Sequence, residues 1–457
     1  MIKRVLLLLD FIEKLFYIIL RCNVLLNLIA DLIKDKSVLI LGFGREGHST
    51  YKMLHRVGGY SSVAIADMKY PEDYDLGDAE IFAGDGYLDV LDSFDIVIKS
   101  PGLVLPKKFS EYKCLITSQT ELFFKRYRDQ IIGITGTKGK STVSSLTYHE
   151  LSQNGIPALL AGNIGTPVFE IVDDITPETK IVLELSCHQL EYNHYSPALS
   201  VILNIYEDHL DHYGTHENYV NAKKNIYLHQ KPLEMLYCGE NFLPYKKENP
   251  SRTFVVKPDI LPFKSLSDIE GVKLRGEHNL GDCAFAYLIA KSLGVTDEGF
   301  IAALKTFNPL KHRLEPVANI GGIEYFDDSI STTVESSINA MKSIENAQTI
   351  LLGGMDRGID YSALVEYLAT DCKLANIVFM YASGKRIYEM LSERCGGTFS
   401  KNVYLTADLK EAVSVAKSIT KPGGACILSP AAASYGYFKN FEERGDAFTK
   451  LVLDTNI

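Results

Sequence analysis

No two of the eight cysteines, at positions 22, 114, 187, 238, 283, 372, 395 and 426, stand as C-x-x-C. That argues against a zinc site or a disulfide frame and for reduced thiols in a cytoplasmic protein. Excess basic charge is missing too: the formal net charge is −10, so a nucleic-acid role lacks its electrostatic footprint. Any anionic ligand has to be held by local cations and helix ends. No uncharged apolar run reaches the roughly 18 residues of a membrane span. The Leu- and Ile-rich stretch from Met1 to Ile29 is interrupted by Asp10, Glu13, Lys14 and Arg21, and no small-residue cleavage site follows it. It reads as an extra helix on the first domain or as a leader, not as an integral membrane segment. Internal repeats and low-complexity tracts are also absent, which excludes solenoids and fibrous arrays.

What is present begins with length. A chain of 457 residues exceeds one hydrophobic core, and at about 150 residues per domain it divides into three. The most informative stretch is Gln130 to Ser145, QIIGITGTKGKSTVSS. Its apolar run Ile131-Ile132-Gly133-Ile134 predicts a buried strand, and Gly136-Thr137-Lys138-Gly139-Lys140-Ser141-Thr142 predicts a loop that opens a helix. Glycines in such a loop let backbone N–H groups turn inward around an anion, and the helix aims its positive end at the same point. Lys140 is placed to reach phosphates and the Ser141 hydroxyl to ligate Mg²⁺, as in P-loops, although Ile134 stands where the strict motif has its first glycine.

Upstream, KSVLILGFGREGHSTYKMLHRVGG places Gly42, Gly44 and Gly47 between a strand and a helix, and the strand SVAIAD ends at Asp67. This is a Rossmann-type unit, with the acidic residue about 20 positions on, where such folds meet a ribose. Alone, the fingerprint leaves a nicotinamide-dependent oxidoreductase open. Strands are also expected over 95–99 and 114–117, with Ser100-Pro101-Gly102 breaking the chain where a ligand loop would sit. Downstream, strands over 181–185 and 199–205 carry Glu184 and the cluster NIYEDHLDHYGTH at their carboxyl ends. Open α/β sheets collect ligands there, and Asp208, His209, Asp211 and His212 share a domain with the phosphate loop, which favours metal ligation over a solvated turn. Residues 219–225 read as a helix, 240–270 as a β-rich or loop excursion, and 276–295 as a helix opening at Asn279. Strands over 323–328, 349–353, 377–381 and 425–428 form a third βα series.

Together these features resemble the Mur ligases, ATP-dependent amide-forming enzymes of peptidoglycan precursor synthesis. The resemblance covers roughly residues 37–450 and rests on GTKGKST at 136–142, GNIGTP at 162–167, ELSCHQLE at 184–191 and N-x-x-x-D-H-x-D from Asn204 to Asp211. It continues through Ala222-Lys223, GEHN at 276–279, HRLE at 312–315, DDS at 327–329, GGMDRG and LSPAAASYGYFKNFEERG. The GFGREG loop, the SPG turn and the FKNFEERG ending resemble the branch that joins D-glutamate to UDP-N-acetylmuramoyl-L-alanine, and the D-N-P-R of the diaminopimelate-adding branch is absent. The L-alanine-adding branch and folylpolyglutamate synthetase are the alternatives.

The resemblance implies an α/β protein of three domains after an extension, 1–36: a Rossmann-like uridine-nucleotide domain, 37–123; a central P-loop-type ATPase domain, 124–309; and a Rossmann-like amino-acid and nucleotide domain, 310–457. It implies ATP, with Gly136, Thr137, Lys138, Gly139, Lys140, Ser141, Thr142, Asn279, Asp282, Arg313 and Asp328 around the nucleotide. Two Mg²⁺ ions are implied on Ser141, Glu184, His209 and Lys223, with Lys140, Glu184, His209 and Lys223 as the catalytic set. Lys223 would be carbamylated, which turns a cation into an anion and lets it attract Mg²⁺. Gly44, Asp67 and Ser100 would bind the uridine substrate, Asn163 would position it, and His312 would serve nucleotide and phosphate. Thr332, Arg357, Ser434 and Phe441 would take D-glutamate, in a monomer with no nucleic-acid partner. Ile330, Asp282 and Arg357 depart from the residues frequent in the family, though Arg357 can hold a carboxylate bidentately.

Overall fold

The computed structural model describes residues 25–454 apart from 72–75, 78, 245, 246, 248 and 250, and leaves out the side chain of Asp211. Most of the Met1 to Ile29 stretch therefore lies outside the described residues. Residues 25–33 are helical, and Leu25, Ile29 and Ile33, at four-residue spacing, bury one stripe against the first sheet's core. Two compact units emerge, one made of the chain up to Leu261 with Asp282–Phe300, the other of Pro262–Gly281 and the chain from Ile301 on. No helix among the described residues is long and apolar enough to cross a membrane.

The first unit holds two parallel sheets. β1 (Ser37–Leu41), β2 (Ser62–Asp67), β3 (Glu80–Ala83), β4 (Ile96–Lys99) and β5 (Leu115–Thr117) stand in the order β3-β2-β1-β4-β5. β6 (Ile131–Thr135), β7 (Ala158–Gly162), β8 (Lys180–Glu184), β9 (Leu199–Ile202), β10 (Met235–Cys238) and β11 (Arg252–Val255) stand in the order β11-β10-β9-β6-β8-β7. Central strands such as Val38–Leu41 and Ile131–Thr135 are buried throughout, as expected of parallel strands covered by helices on both faces. In the second unit β12 (Glu315–Ile320), β13 (Ile323–Asp327), β14 (Ala347–Leu352), β15 (Asn376–Met380), β16 (Asn402–Thr406) and β17 (Ala425–Leu428) stand in the order β12-β13-β17-β14-β15-β16, with β12 antiparallel to β13. The chain is thus an α/β protein built on three mainly parallel sheets.

Strands that the sequence pattern left unmarked are mostly sheet edges. β3, β7, β11, β12 and β16 each have one neighbour, and Glu315, Asn319, Arg252 and Asn402 break their apolar runs, because one rim of an edge strand faces solvent. The helix expected to open at Asn279 runs from Glu277 to Ser292.

One core residue breaks the pattern. Glu150, on the helix Lys140–Gln153, is fully buried, and neither carboxyl oxygen has a hydrogen-bond partner among the described residues. Burial pushes its pKa up to about 9 from 4.5. The folded chain therefore keeps this proton across a window in which the unfolded chain has lost it, so stability falls as pH rises from 4.5 to about 9. Glu150→Met, similar in length and with no charge to suppress, is expected to raise the melting temperature, and by more at pH 8 than at pH 5. Thermal denaturation at the two pH values checks this; a gain independent of pH sinks it.

Candidate active site

In the first sheet β1 lies between β2 and β4, with Leu41 opposite both Ala66 and Lys99. That register sets Gly42, Asp67 and Ser100 at adjacent carboxyl ends. Gly42 takes a left-handed φ of 86°, and a Cβ there would meet the Leu103 and Ser100 side chains. Asp67 accepts hydrogen bonds from the Phe43 N–H (2.6 Å) and the Lys69 N–H (2.8 Å), and the Ser100 hydroxyl donates to the Gly42 carbonyl (2.9 Å). These residues tie the glycine loop to its neighbours, while Gly44 caps the helix Arg45–Val57 with no side-chain hydrogen bond at that cap.

In the second sheet β6 pairs with β8 on one side and β9 on the other, Ile134 opposite Glu184 and Thr135 opposite Ile202. The loop after β6 is therefore flanked by Glu184 and by the Asn204–Asp208 segment. Gly139 caps the helix Lys140–Gln153 at φ 83°, and a Cβ there would lie 2.5 Å from the Asp282 carboxylate. Lys138 N–H donates to the Asn204 side chain (2.9 Å), and the Thr137 hydroxyl meets that of Tyr219 at 2.8 Å.

Two lysines converge on one carbonyl. Lys140 Nζ donates to Gly136 O (3.1 Å) and Thr137 O (3.0 Å), and Lys223 Nζ donates to the same Gly136 O (2.9 Å). Lys223 lies in the last turn of the helix His216–Lys224, is 1 % exposed, and lies 4.8 Å from the Tyr219 ring centre. Burial first, and the Lys140 ammonium second, bring its amine down to about 7. A sizeable fraction is therefore neutral and nucleophilic at physiological pH.

Glu184 is 1 % exposed; Oε1 accepts from Asn163 Nδ2 (2.6 Å), and Oε2 has no hydrogen-bond partner among the described residues. A half-satisfied carboxylate in a dry position is costly unless a cation completes it, so the donor set fits a divalent metal. His209 sits in a left-handed conformation (φ 53°), half-exposed, its ring 5.0 Å from that of His188 and 6.2 Å from that of Tyr219. Ser141 lies in the first turn of the loop helix, half-buried, and Thr142 is buried.

In the second unit the carboxyl ends of β13, β17, β14 and β15 gather the remaining candidates. His312 Nδ1 lies 2.7 Å from Asp327 Oδ2, and that carboxylate raises the imidazole's pKa. A Cβ on Gly445 would fall 2.1 Å from His312 Nδ1, so only glycine fits beside the pair. Asp328 accepts from Leu314 N–H (3.1 Å) and the Ser429 hydroxyl (2.7 Å), and burial lifts its pKa to about 6. Arg313 is half-buried beside it, and Asn279 is buried with its amide on Arg275 O (2.7 Å). Thr332 precedes the Thr333 cap of the helix Val334–Ser343. Arg357 is exposed in the loop after β14 and Ser434 buried in the loop after β17; the two loops meet where Met355 N–H donates to Ala433 O (2.8 Å). Phe441 opens the helix Phe441–Leu453 and accepts from the Ser329 hydroxyl (2.8 Å).

Residues 134–241 match the family described as the Mur ligase middle domain. Over the whole chain, the UDP-N-acetylmuramoylalanine–D-glutamate ligase of Staphylococcus saprophyticus is 30% identical over 444 residues, 92% of this chain and 97% of that protein. The enzyme of that name from Acetivibrio thermocellus is 31% identical over 466 residues, 94% and 99% of the two chains. The chain belongs to the Mur ligase family. Among solved structures, the MurF ligase of Thermotoga maritima in complex with ADP superposes with a TM-score of 0.55 at 16% identity, over 93% of this chain and 95% of that one. MurC, the UDP-N-acetylmuramate–alanine ligase of the same organism, gives 0.55 at 17% identity, over 91% and 98%. At such identities the two report the fold of this Mur ligase and nothing finer.

Several residues of the site escaped the sequence reading. Lys99, at the end of β4, is 5 % exposed, donates to Ser100 O (3.2 Å), and is brought down to about 8 by burial. Glu46, within GFGREG, is half-buried and accepts from Gln189 Nε2 (2.8 Å), joining the first glycine loop to the ELSCHQLE segment. Arg444 is fully buried and donates to Ser329 Oγ (2.9 Å), Ser329 O (2.7 Å) and Ala432 O (3.0 Å). A signal for Arg444 existed: it falls between Phe441 and Phe448 at helical spacing, on the face this Mur ligase buries. Lys99 and Glu46 carry no comparable local signal.

Proposed function

We propose that this Mur ligase joins D-glutamate to UDP-N-acetylmuramoyl-L-alanine at the expense of ATP. The observation that carries the chemistry is the convergence of Lys140, Lys223 and the half-satisfied Glu184 around the loop 136–139. The near-full-length similarity to D-glutamate ligases supports the choice of substrates. ATP would supply the phosphoryl group that activates the substrate carboxylate, and two Mg²⁺ ions would neutralise the charge gathered there.

The chain's own residues do the rest. Backbone N–H groups of the loop 136–139 and the start of the following helix cradle the phosphates, and Lys140 leaves its carbonyl partners to meet them. One carboxylate oxygen of the muramoyl substrate takes the γ-phosphoryl group, releasing ADP. The D-glutamate amine then attacks the acyl carbon, the C–O bond to phosphate breaks, and the amine proton passes to solvent. Glu184, His209, Ser141 and a carbamylated Lys223 hold the metals; Asn163 orients Glu184 through its amide. Asn279, Asp282, Arg313 and Asp328 serve the nucleotide, with His312 beside the transferring phosphate. The uridine diphosphate lies on Gly44, Asp67 and Ser100, and Thr332, Arg357, Ser434 and Phe441 receive D-glutamate. The domain 37–123 carries the uridine substrate, 124–309 the ATP phosphates, and 310–457 the amino acid with the rest of the nucleotide, in a cytoplasmic monomer.

Phosphate release measured with UDP-N-acetylmuramoyl-L-alanine, ATP and each amino acid in turn is expected to respond to D-glutamate and to no other. Release driven by L-alanine with UDP-N-acetylmuramate instead would move the protein to the L-alanine-adding branch.

A further inference from the structure

Arg357 sits on the loop of residues 353–361, and the contacts that shape this loop come largely from one helix, Tyr381–Arg394. At its start Gly353 approaches so closely that a Cβ would lie 1.9 Å from Met380 O. One residue on, the Ser383 hydroxyl accepts from Gly354 N–H (2.8 Å) and lies 3.0 Å from Gly354 O. Met355 N–H then bonds to Ala433 O, next to Ser434.

Arg386 grips both sides of Arg357. Its Nη1 donates to Asp356 Oδ1 (2.6 Å), its Nη2 donates to Ile359 O, and its guanidinium stands 4.8 Å from the centre of the buried Tyr361 ring. Asp356 Oδ1 also accepts from Gly358 N–H (3.0 Å), closing the tip on itself. A planar fork with fixed donors and a stacking face suits this triple contact; an ammonium could make only part of it.

We propose that Arg386 is a positioning residue that sets the amino-acid selectivity of the site: it fixes the 356–359 tip so that Arg357 meets the side-chain carboxylate of the incoming amino acid. The inference rests on the D-glutamate reading above. An arginine at the tip of an unclamped loop would reach a carboxylate in many geometries, and so discriminate poorly among acids of different length and hand.

The test is steady-state kinetics on the full chain with Arg386→Ala, Arg386→Lys, Arg357→Ala and the double alanine variant. Arg386→Ala is expected to raise KM for D-glutamate about 10- to 100-fold, as a misplaced binding group does. KM for ATP and for the uridine substrate should stay within about twofold, because the clamp touches neither. Arg386→Lys should fall between, and the double variant should be no worse than Arg357→Ala alone, since Arg386 acts through Arg357. Additive losses, or all three KM values rising together with a lowered melting temperature, overturn the proposal. Should Arg386→Ala not fold, Arg386→Lys and its pairing with Arg357→Ala decide the same point. If the wild type uses an amino acid other than D-glutamate, the D-glutamate reading fails by itself, and the cycle run on that acid still decides Arg386.

Discussion

Lys140→Ala is expected to lose about 100- to 1000-fold in kcat for ATP-dependent amide formation, the scale of removing one well-placed charge from a site of developing anionic character. The side chain is needed for its charge and not for packing. Its ammonium is half-buried, and the backbone carbonyls of Gly136 and Thr137 are among its acceptors; Gly136 O keeps Lys223 as donor. The variant should therefore keep its circular dichroism spectrum and melt within a few degrees of the wild type, since one neutral-acceptor hydrogen bond is worth about 1 kcal/mol net. Near-normal turnover in a folded Lys140→Ala protein would remove the phosphate-loop reading altogether.

The second large effect is expected at Lys223. Here the amine is dry, held at about 7 by burial and by Lys140, and it faces Gly136 O with no carboxylate hydrogen-bonded to it among the described residues. Both conditions favour reaction of its neutral form with carbon dioxide, which would place an anion where Glu184 already waits for a cation. Lys223→Ala should then lose activity on the scale of Lys140→Ala and regain part of it in millimolar acetate or formate, which restore the missing anion. Activity measured across a series of short carboxylic acids checks this. Were they without effect while Lys223→Arg stayed active, Lys223 would be a plain cation and the carbamate would be wrong.

Much of the loop after β6 was legible in the linear sequence because a strand–turn–helix junction is a local device. A buried strand, a glycine-paced turn and a helix start occupy Ile131–Gln153 in one continuous segment. Gly42, Gly44 and Asp67 were legible for the same reason: a strand, a turn and the next strand place them within one βαβ unit. Glu184 and His209 could be marked as strand-end residues from the apolar runs before them. Arg386 and Lys99 could not, since a lone cation on a helix or at a strand end has no local pattern that separates a clamp from a solvated side chain.

The sequence by itself determined the α/β class, the strand–loop–helix at 131–153 and the glycine turn after β1, because each depends on periodicity and on backbone freedom over a short span. The tertiary structure alone decided which distant residues share a site. Lys140 and Lys223 meet at Gly136 O, and Glu184 stands opposite Ile134, because β6 settled between β8 and β9; that order is a property of whole-sheet packing and of no single segment. Burial, also a collective outcome, shifted the titration of Lys223 down to about 7 and of Glu150 up to about 9. Desolvation depends on every neighbour that excludes water, and the linear chain does not name those neighbours.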